Sequence, residues 1–125
     1  MNAIQTHNLT KMYQNKTVVN HINLSVKEGT IFGFLGHNGA GKSTFINMLT
    51  GLCQPSDGTF NLNVQNKREM GVLPDYSSFY NNMTGKEHVK YFCSIMKYDV
   101  SNSEIENLFQ SIGLENGLNL KVKKY

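Results

Sequence analysis

A glycine-rich segment in the first half of the chain carries the residues best suited to chemistry. Residues 36–44 read Gly-His-Asn-Gly-Ala-Gly-Lys-Ser-Thr, which matches the pattern G-x-x-x-x-G-K-[S/T]. Glycine lets the backbone approach an anion closely, so that N–H groups between Gly39 and Ser43 converge on a phosphate at the positive end of the following helix. Lys42 then places its ammonium group between the β- and γ-phosphates, Ser43 offers its hydroxyl to Mg²⁺, and Thr44 bonds the α-phosphate. The segment therefore predicts a nucleoside triphosphate site.

The elements on either side of this loop have the order that such a site requires. Thr30–Leu35 is an almost continuous apolar run, typical of a β-strand covered on both faces, and it leads directly into Gly36. Lys42–Thr50 has apolar residues at helical spacing, and Gly51 is placed to end the helix. The alternative is a glycine-rich turn that precedes a helix by chance, which average residue usage produces in roughly a few of 100,000 windows.

Short β-strands are predicted on both sides of this central segment. Ile4–Leu9 and Val18–Val26 alternate apolar and polar residues, as half-buried strands do. In the second of these strands, one face is expected to carry Val18, Asn20, Ile22, Leu24 and Val26. Thr59–Val64 and Arg68–Leu73 predict two further strands, and Pro74 ends the last one.

The second half of the chain predicts two amphipathic helices. Thr84-Gly-Lys-Glu and Ser101-Asn-Ser-Glu are capping boxes, in which a hydroxyl and a carboxylate satisfy reciprocal backbone donors, and Gly113 is placed to end the second helix. The helical spacing predicts a core for this half made of Tyr91, Phe92 and Phe109. The alternative is a docking surface for a partner helix, formed by these aromatic residues together with Phe79 and Tyr80.

Composition limits the class of protein. With 125 residues, 39% of them hydrophobic and 17% charged, the chain describes one ordinary globular domain. The net charge of +3 comes from lysines near the end, Lys121, Lys123 and Lys124, and the even balance before them argues against a nucleic-acid partner. No apolar run approaches the ~20 residues of a membrane span, and the first residues do not resemble a signal peptide. Cys53 and Cys93 lack metal-ligand spacing and are expected to be small core residues in a reducing cytosol.

Four landmarks in the chain occur in the order and spacing of a known family. They are Asn8–Tyr13, the glycine-rich loop, residues 55–59 (Pro-Ser-Asp-Gly-Thr) and Met70–Pro74. Together they resemble the ATP-binding subunit of an ABC transporter, over essentially the whole chain. The resemblance implies an α/β fold: a P-loop (RecA-like) core with an N-terminal antiparallel β subdomain and the start of a helical subdomain, an incomplete version of the family's domain.

The resemblance also implies boundaries within this N-terminal part of an ABC-type ATP-binding domain. Residues 1–73 correspond to the β subdomain and P-loop core, and residues 74–86 to the loop that carries the family's Gln. Residues 87–117 correspond to a partial helical subdomain, and residues 118–125 lead towards the family's signature motif.

Specific ligands follow from the same resemblance. Tyr13, 23 positions before Gly36, matches the aromatic residue that stacks on adenine in the family. The residues expected to bind ATP are Tyr13, Gly36, Asn38, Gly39, Ala40, Gly41, Lys42, Ser43 and Thr44. Mg²⁺ is expected at Ser43 and at Asp75, which stands where the family usually has Gln or Glu. A turn-forming role for Asp75 after Pro74 is the alternative.

The function implied is ATP binding that energises transport, with export expected because residues 73–84 are similar to exporter coupling loops. Expected partners are an integral membrane permease and a second ATP-binding subunit, with no nucleic acid, at the cytoplasmic face of the membrane. Because the signature motif and the Glu that polarises water lie later in the family, the chain alone is expected to bind ATP without hydrolysing it, and no complete catalytic set is assigned. The alternatives are a truncated, non-catalytic nucleotide-binding fragment and a non-transport ABC-type ATPase.

Overall fold

The computed structural model describes residues 1–37, 39–73 and 79–125, and the chain divides into the units Met1–Val72 and Leu73–Tyr125. The first unit contains a three-stranded antiparallel sheet of β1 (Asn2–Tyr13), β2 (Lys16–Lys27) and β3 (Asp57–Leu62) in the order β2-β1-β3. These are three of the predicted strands, and the first two are longer than expected. Their length follows from a tight hairpin, because Tyr13 pairs with Lys16 directly across the turn.

A β-bulge changes the alternation of β2. Leu9 lies opposite Ile22, but Lys11 lies opposite Val19, so β2 uses one more residue than β1 over this interval. The extra residue places Val19 in the core and leaves Asn20 exposed. The prediction that Asn20 shares the inward face of Ile22 is therefore wrong, because the bulge reverses the faces of the strand beyond it.

Helix α1 (Lys42–Thr50) has the predicted bounds and packs on the sheet. The core of this unit is made of Leu9, Val19, Phe45, Met48 and Leu49. Gly51 ends the helix in the left-handed conformation, at φ 84°, and its N–H donates to the carbonyl oxygen of Met48 at 3.2 Å. Burial of one face of α1 therefore ties the glycine-rich loop to β1 and β2.

The predicted strand Thr30–Leu35 does not form. Its side chains are largely solvent-exposed, fully so at Ile31 and half so at Phe32, and no strand of the described residues pairs with it. Phe34 alone is packed, with its ring centroid 4.8 Å from that of Phe45. An apolar run becomes a buried strand only where neighbouring strands supply hydrogen bonds and both faces are covered, and here neither condition holds.

The predicted strand Arg68–Leu73 is also wrong. Residues Lys67–Glu69 form a 3₁₀ turn instead, in which the side chain of Asn66 accepts a hydrogen bond from the N–H of Arg68 at 2.9 Å. A side chain of this kind offers the backbone a local partner and so competes with sheet pairing.

The second unit contains α2 (Gly85–Ile95), α3 (Asn102–Ser111) and 3₁₀ turns at Glu115–Gly117 and Val122–Lys124. Both predicted capping boxes are present. Gly113 follows α3 in the left-handed conformation, with φ 73°. Both helices therefore begin where their local sequence predicts, and α3 ends just before the predicted Gly113.

The core of the second unit differs from the prediction. Phe109 is buried together with Ile105, but Tyr91 and Phe92 remain 40% and 41% exposed. The buried side of α2 consists of Gly85 and His88. Tyr91 and Phe92 lie beyond His88 in the helix, where their ring contacts within the described residues are with one another, with His88 and with Tyr80.

Cys53 and Cys93 are free thiols that are only half-buried, and Cys53 packs against the core of the first unit from its periphery. Among the described residues, no helix combines the length and the apolar character needed to traverse a bilayer.

Candidate functional site

The glycine-rich loop is bent by two residues in the left-handed conformation. Gly39 has φ 84° and Gly41, immediately before α1, has φ 94°. A Cβ atom on Gly41 would collide with the carbonyl oxygen of Val18 and would lie 3.3 Å from Cγ2 of Val19. Gly41 therefore satisfies two requirements at once, the positive φ and the close approach of the loop to β2.

The loop ends at the N-terminus of α1, where no group of the helix itself neutralises the positive end of the helix dipole. The N–H of Phe45 donates to the carbonyl oxygen of Gly41 at 2.9 Å and begins the helical pattern. Gly41 offers no side-chain cap, and the first turn of α1 contains no acidic residue. Within residues 1–37, 39–73 and 79–125, the N–H groups of Ser43 and Thr44 have no acceptor. Such donors, together with the helix dipole, favour an anionic ligand.

Lys42 folds back over the loop. Its ammonium group donates to the carbonyl oxygen of Gly36 and to that of His37 at 3.4 Å. The N–H of Ala40 also donates to the carbonyl oxygen of His37, at 3.1 Å, which closes the turn beneath the ammonium group. A phosphate oxygen carries negative charge, so it would attract the ammonium group of Lys42 more strongly than the neutral carbonyl oxygens that it contacts here.

The structure describes Ser43 and Thr44 among the remaining predicted ligands, but not Asn38 and Asp75. Ser43 is exposed and Thr44 is half-buried in the first turn of α1, so the Ser43 hydroxyl is accessible from solvent. Asn38 and Asp75 lie outside the described residues. In the described part of the chain, no three His, Cys, Asp or Glu side chains cluster as metal ligands. This donor set suits Mg²⁺ held by one hydroxyl, phosphate oxygens and water, which is how Mg²⁺ commonly binds in phosphate sites.

Tyr13 lies at the end of β1 and contacts the segment that follows α1. Its hydroxyl group donates to Sγ of Cys53 at 3.7 Å, and this hydrogen bond is the main cause of a pKa for Tyr13 above its ordinary value. The Nζ atom of Lys11 lies 5.0 Å from the ring centroid and donates to the carbonyl oxygen of Gln54 at 2.6 Å. Tyr13 is nevertheless 49% exposed as a residue, so part of its surface is accessible to a ligand.

The sequence reasoning missed the contacts that hold Tyr13. The contact with Lys11 could have been predicted from the sequence, because residues two apart on a strand share a face. The contacts with Cys53 and Gln54 could not, since these residues come close to Tyr13 only through the path of the chain around α1.

Tyr13 and the loop are connected through one end of the β1–β2 hairpin. Tyr13 pairs with Lys16, and Val18, two residues further along β2, is the strand residue that Gly41 approaches. Two strand residues span ~7 Å and neighbouring strands lie ~5 Å apart. Of the predicted ligands, the structure brings together Gly36, Gly39, Ala40, Gly41 and Lys42 in the loop. The contact of Tyr13 with adenine stays a prediction.

A family model and curated relatives both match this chain to ABC transporter proteins. A family model described as ABC transporter matches residues 19–125. The bacitracin transport ATP-binding protein BcrA of Enterococcus faecalis is 40% identical over 120 residues, covering 90% of this chain and 39% of that protein. BcrA of Bacillus licheniformis is 35% identical over 130 residues, covering 98% of this chain and 42% of that protein. The chain therefore spans about two fifths of the length of these relatives.

Solved structures show the same fold. An ABC transporter (ATP-binding protein) from Pyrococcus furiosus superposes with a TM-score of 0.85 at 21% identity, covering 98% of this chain and 62% of that one. A second structure, an ATP-binding subunit of an ABC transporter, gives a TM-score of 0.80 at 25% identity, covering 98% of this chain and 55% of that one. The predicted fold class is confirmed by these neighbours, although the strand before the loop is not formed here.

Proposed function

Because the chain belongs to the ABC transporter ATP-binding family, we propose that it binds ATP at the glycine-rich loop as part of an ATPase that energises transport through a membrane permease. The observation that carries this proposal is the loop geometry. Gly41 opens α1 in the left-handed conformation, N–H groups of the first turn lack acceptors in the described chain, and the ammonium group of Lys42 lies over the loop.

Each part of the loop has a distinct role in binding. The amides of Ser43 and Thr44 bind phosphate oxygens at the positive end of α1. Lys42 exchanges the carbonyl oxygens of Gly36 and His37 for oxygens of the terminal phosphates, which neutralises part of their charge. The Tyr13 ring stacks on adenine and contributes affinity for the base without affecting the phosphates.

Ser43 would hold Mg²⁺ through its hydroxyl group. At that position Mg²⁺ would supply positive charge that offsets the charge of the phosphate groups. Asp75 is a second proposed ligand of the ion. Binding of ATP without turnover is proposed for the chain by itself, because phosphoryl transfer needs further groups positioned around the γ-phosphate.

The wider role is proposed from the relatives. Two of them are named for bacitracin transport, which supports a transport role, and export is the proposed direction. The proposed partners are an integral membrane permease and a second ATP-binding subunit, and nucleic acid is not among them. This assembly would place the chain at the cytoplasmic face of the cell membrane.

The proposal is tested by substituting Lys42. Lys42→Ala is expected to abolish Mg-ATP binding measured by titration calorimetry, because it removes the ammonium group that lies over the loop. Lys86→Ala is the matched control, since Lys86 also lies in the first turn of a helix, α2. Unchanged ATP binding in Lys42→Ala, or an equal loss in Lys86→Ala, contradicts the assignment of the loop.

The base contact is tested separately with Tyr13→Ala. We expect weaker binding of ATP and nearly unchanged binding of inorganic tripolyphosphate, which lacks a base. Equal losses of affinity for the two ligands contradict stacking of Tyr13 on adenine, but they do not contradict the assignment of the phosphate loop.

A further inference from the structure

Tyr13 is held from two sides by groups that have no role in the proposed function. The ammonium group of Lys11 lies over the ring at 5.0 Å from the centroid. The hydroxyl group at the far end of the ring donates to Cys53 Sγ at 3.7 Å. A tyrosine ring can rotate about two side-chain torsions, and these contacts restrain it at both its face and its tip.

The two holding groups are themselves anchored to one short segment after α1. Lys11 Nζ donates to the carbonyl oxygen of Gln54 at 2.6 Å, and Cys53 is the preceding residue. The N–H of Cys53 donates to the carbonyl oxygen of Asn47 at 3.2 Å, in the last turns of α1. The ring of Tyr13 is thereby connected to the C-terminal end of the same helix whose N-terminus forms the phosphate site.

We infer that Lys11 and Cys53 are positioning residues that hold the Tyr13 ring in one orientation, with the Lys11 ammonium group over one face and the opposite face left for a nucleobase. The inference rests on the proposed function, because it concerns the base-binding half of that site. A ring held in its binding orientation before the ligand arrives loses less side-chain entropy when adenine stacks on it. Helix α1 then sets the spacing between the base platform and the phosphate loop.

The inference is tested by comparing ligands with and without a base. In the intact chain, Lys11→Met is expected to weaken Mg-ATP binding about two- to five-fold, the range of an exposed cation–π contact. Binding of Mg-tripolyphosphate is expected to stay unchanged, and Lys11→Arg is expected to restore ATP binding. Cys53→Ala is expected to shift the ratio of the two affinities in the same direction. If the ratio is unchanged in both Lys11→Met and Cys53→Ala, the inference is wrong.

Matched controls separate positioning from general effects of charge or packing. Lys16→Met removes a cation at the same hairpin end, opposite Tyr13, and Cys93→Ala removes the other half-buried thiol. Neither is expected to change the affinity ratio, and a shift in Lys16→Met equal to that in Lys11→Met overturns the inference. In a Tyr13→Ala background, Lys11→Met is expected to have no further effect on ATP binding. A full additional loss there also overturns it.

A measurement on the free protein tests the geometry without nucleotide. The ε-methylene protons of Lys11 are expected to be shifted upfield by the Tyr13 ring current in NMR spectra, and the shift is expected to disappear in Tyr13→Leu. Absence of the shift overturns the inference whatever the nucleotide data show. If Lys42→Ala leaves ATP binding unchanged, the proposed function fails. If Tyr13→Ala selectively weakens ATP but the Lys11 and Cys53 variants do not, the function stands and only this inference falls.

Discussion

The substitution Gly41→Ala tests the architecture of the loop most directly. At φ 94° an alanine is strained, and its Cβ atom would collide with the Val18 carbonyl oxygen on β2. The conformational strain costs about 1–2 kcal/mol, and forcing a methyl group against a packed backbone adds typically about 1–3 kcal/mol. We therefore expect the free energy of unfolding to fall by about 2–5 kcal/mol and ATP binding to be lost, since the loop can relieve the collision only by moving away from β2.

Two other glycines separate the two contributions. Gly39 has φ 84°, but apart from its chain neighbours no atom of the described residues lies within 4 Å of an added Cβ, so Gly39→Ala measures the strain alone, about 1–2 kcal/mol. Gly71 has no positive φ and, in the part of the chain that the structure describes, no such neighbour within 4 Å, so Gly71→Ala is expected to be neutral or slightly stabilising. Urea unfolding of the three variants and calorimetric titration with Mg-ATP provide the measurements. The reasoning is refuted if Gly41→Ala is no less stable than Gly71→Ala, or if it retains full ATP affinity.

Two further predictions concern the second unit. The Glu104 carboxylate accepts a hydrogen bond from the backbone N–H of Ser101, which lowers the pKa of Glu104 below its ordinary value of 4.5. A lowered native pKa means that this contribution to stability is present above the unfolded value and is lost as the pH falls through the native one. Glu104→Gln is expected to reduce the loss of unfolding free energy at acidic pH, measured by urea unfolding at a series of pH values. If the pH dependence of the unfolding free energy is unaltered in this variant, the capping box is not its source. Ile105→Ala is expected to cost about 2–5 kcal/mol because Ile105 is fully buried, whereas Leu108→Ala, at a 49% exposed position, is expected to cost far less; equal losses in urea unfolding would mean that α3 packs through another face.

The features that local sequence determines are those whose physical cause is also local. Helix α1 spans Lys42–Thr50 as predicted, because its apolar spacing and Gly51 lie within one stretch of chain. The capping boxes at Thr84 and Ser101 form because each needs only a hydroxyl and a carboxylate three residues apart. The glycine at position 41 likewise permits the left-handed conformation found there, although its approach to Val18 depends on β2.

Other features depend on groups distant in the chain. The apolar run 30–35 has the composition of a buried strand, but strand formation requires neighbours, and in the described chain none pairs with it. The bulge that places Val19 in the core arises from the pairing of β1 with β2. The restraint of Tyr13 by Cys53 requires the chain to return past β1 after α1. Periodicity and caps report what a segment can form alone, whereas burial, register and side-chain partners are set by which distant segments pack against it.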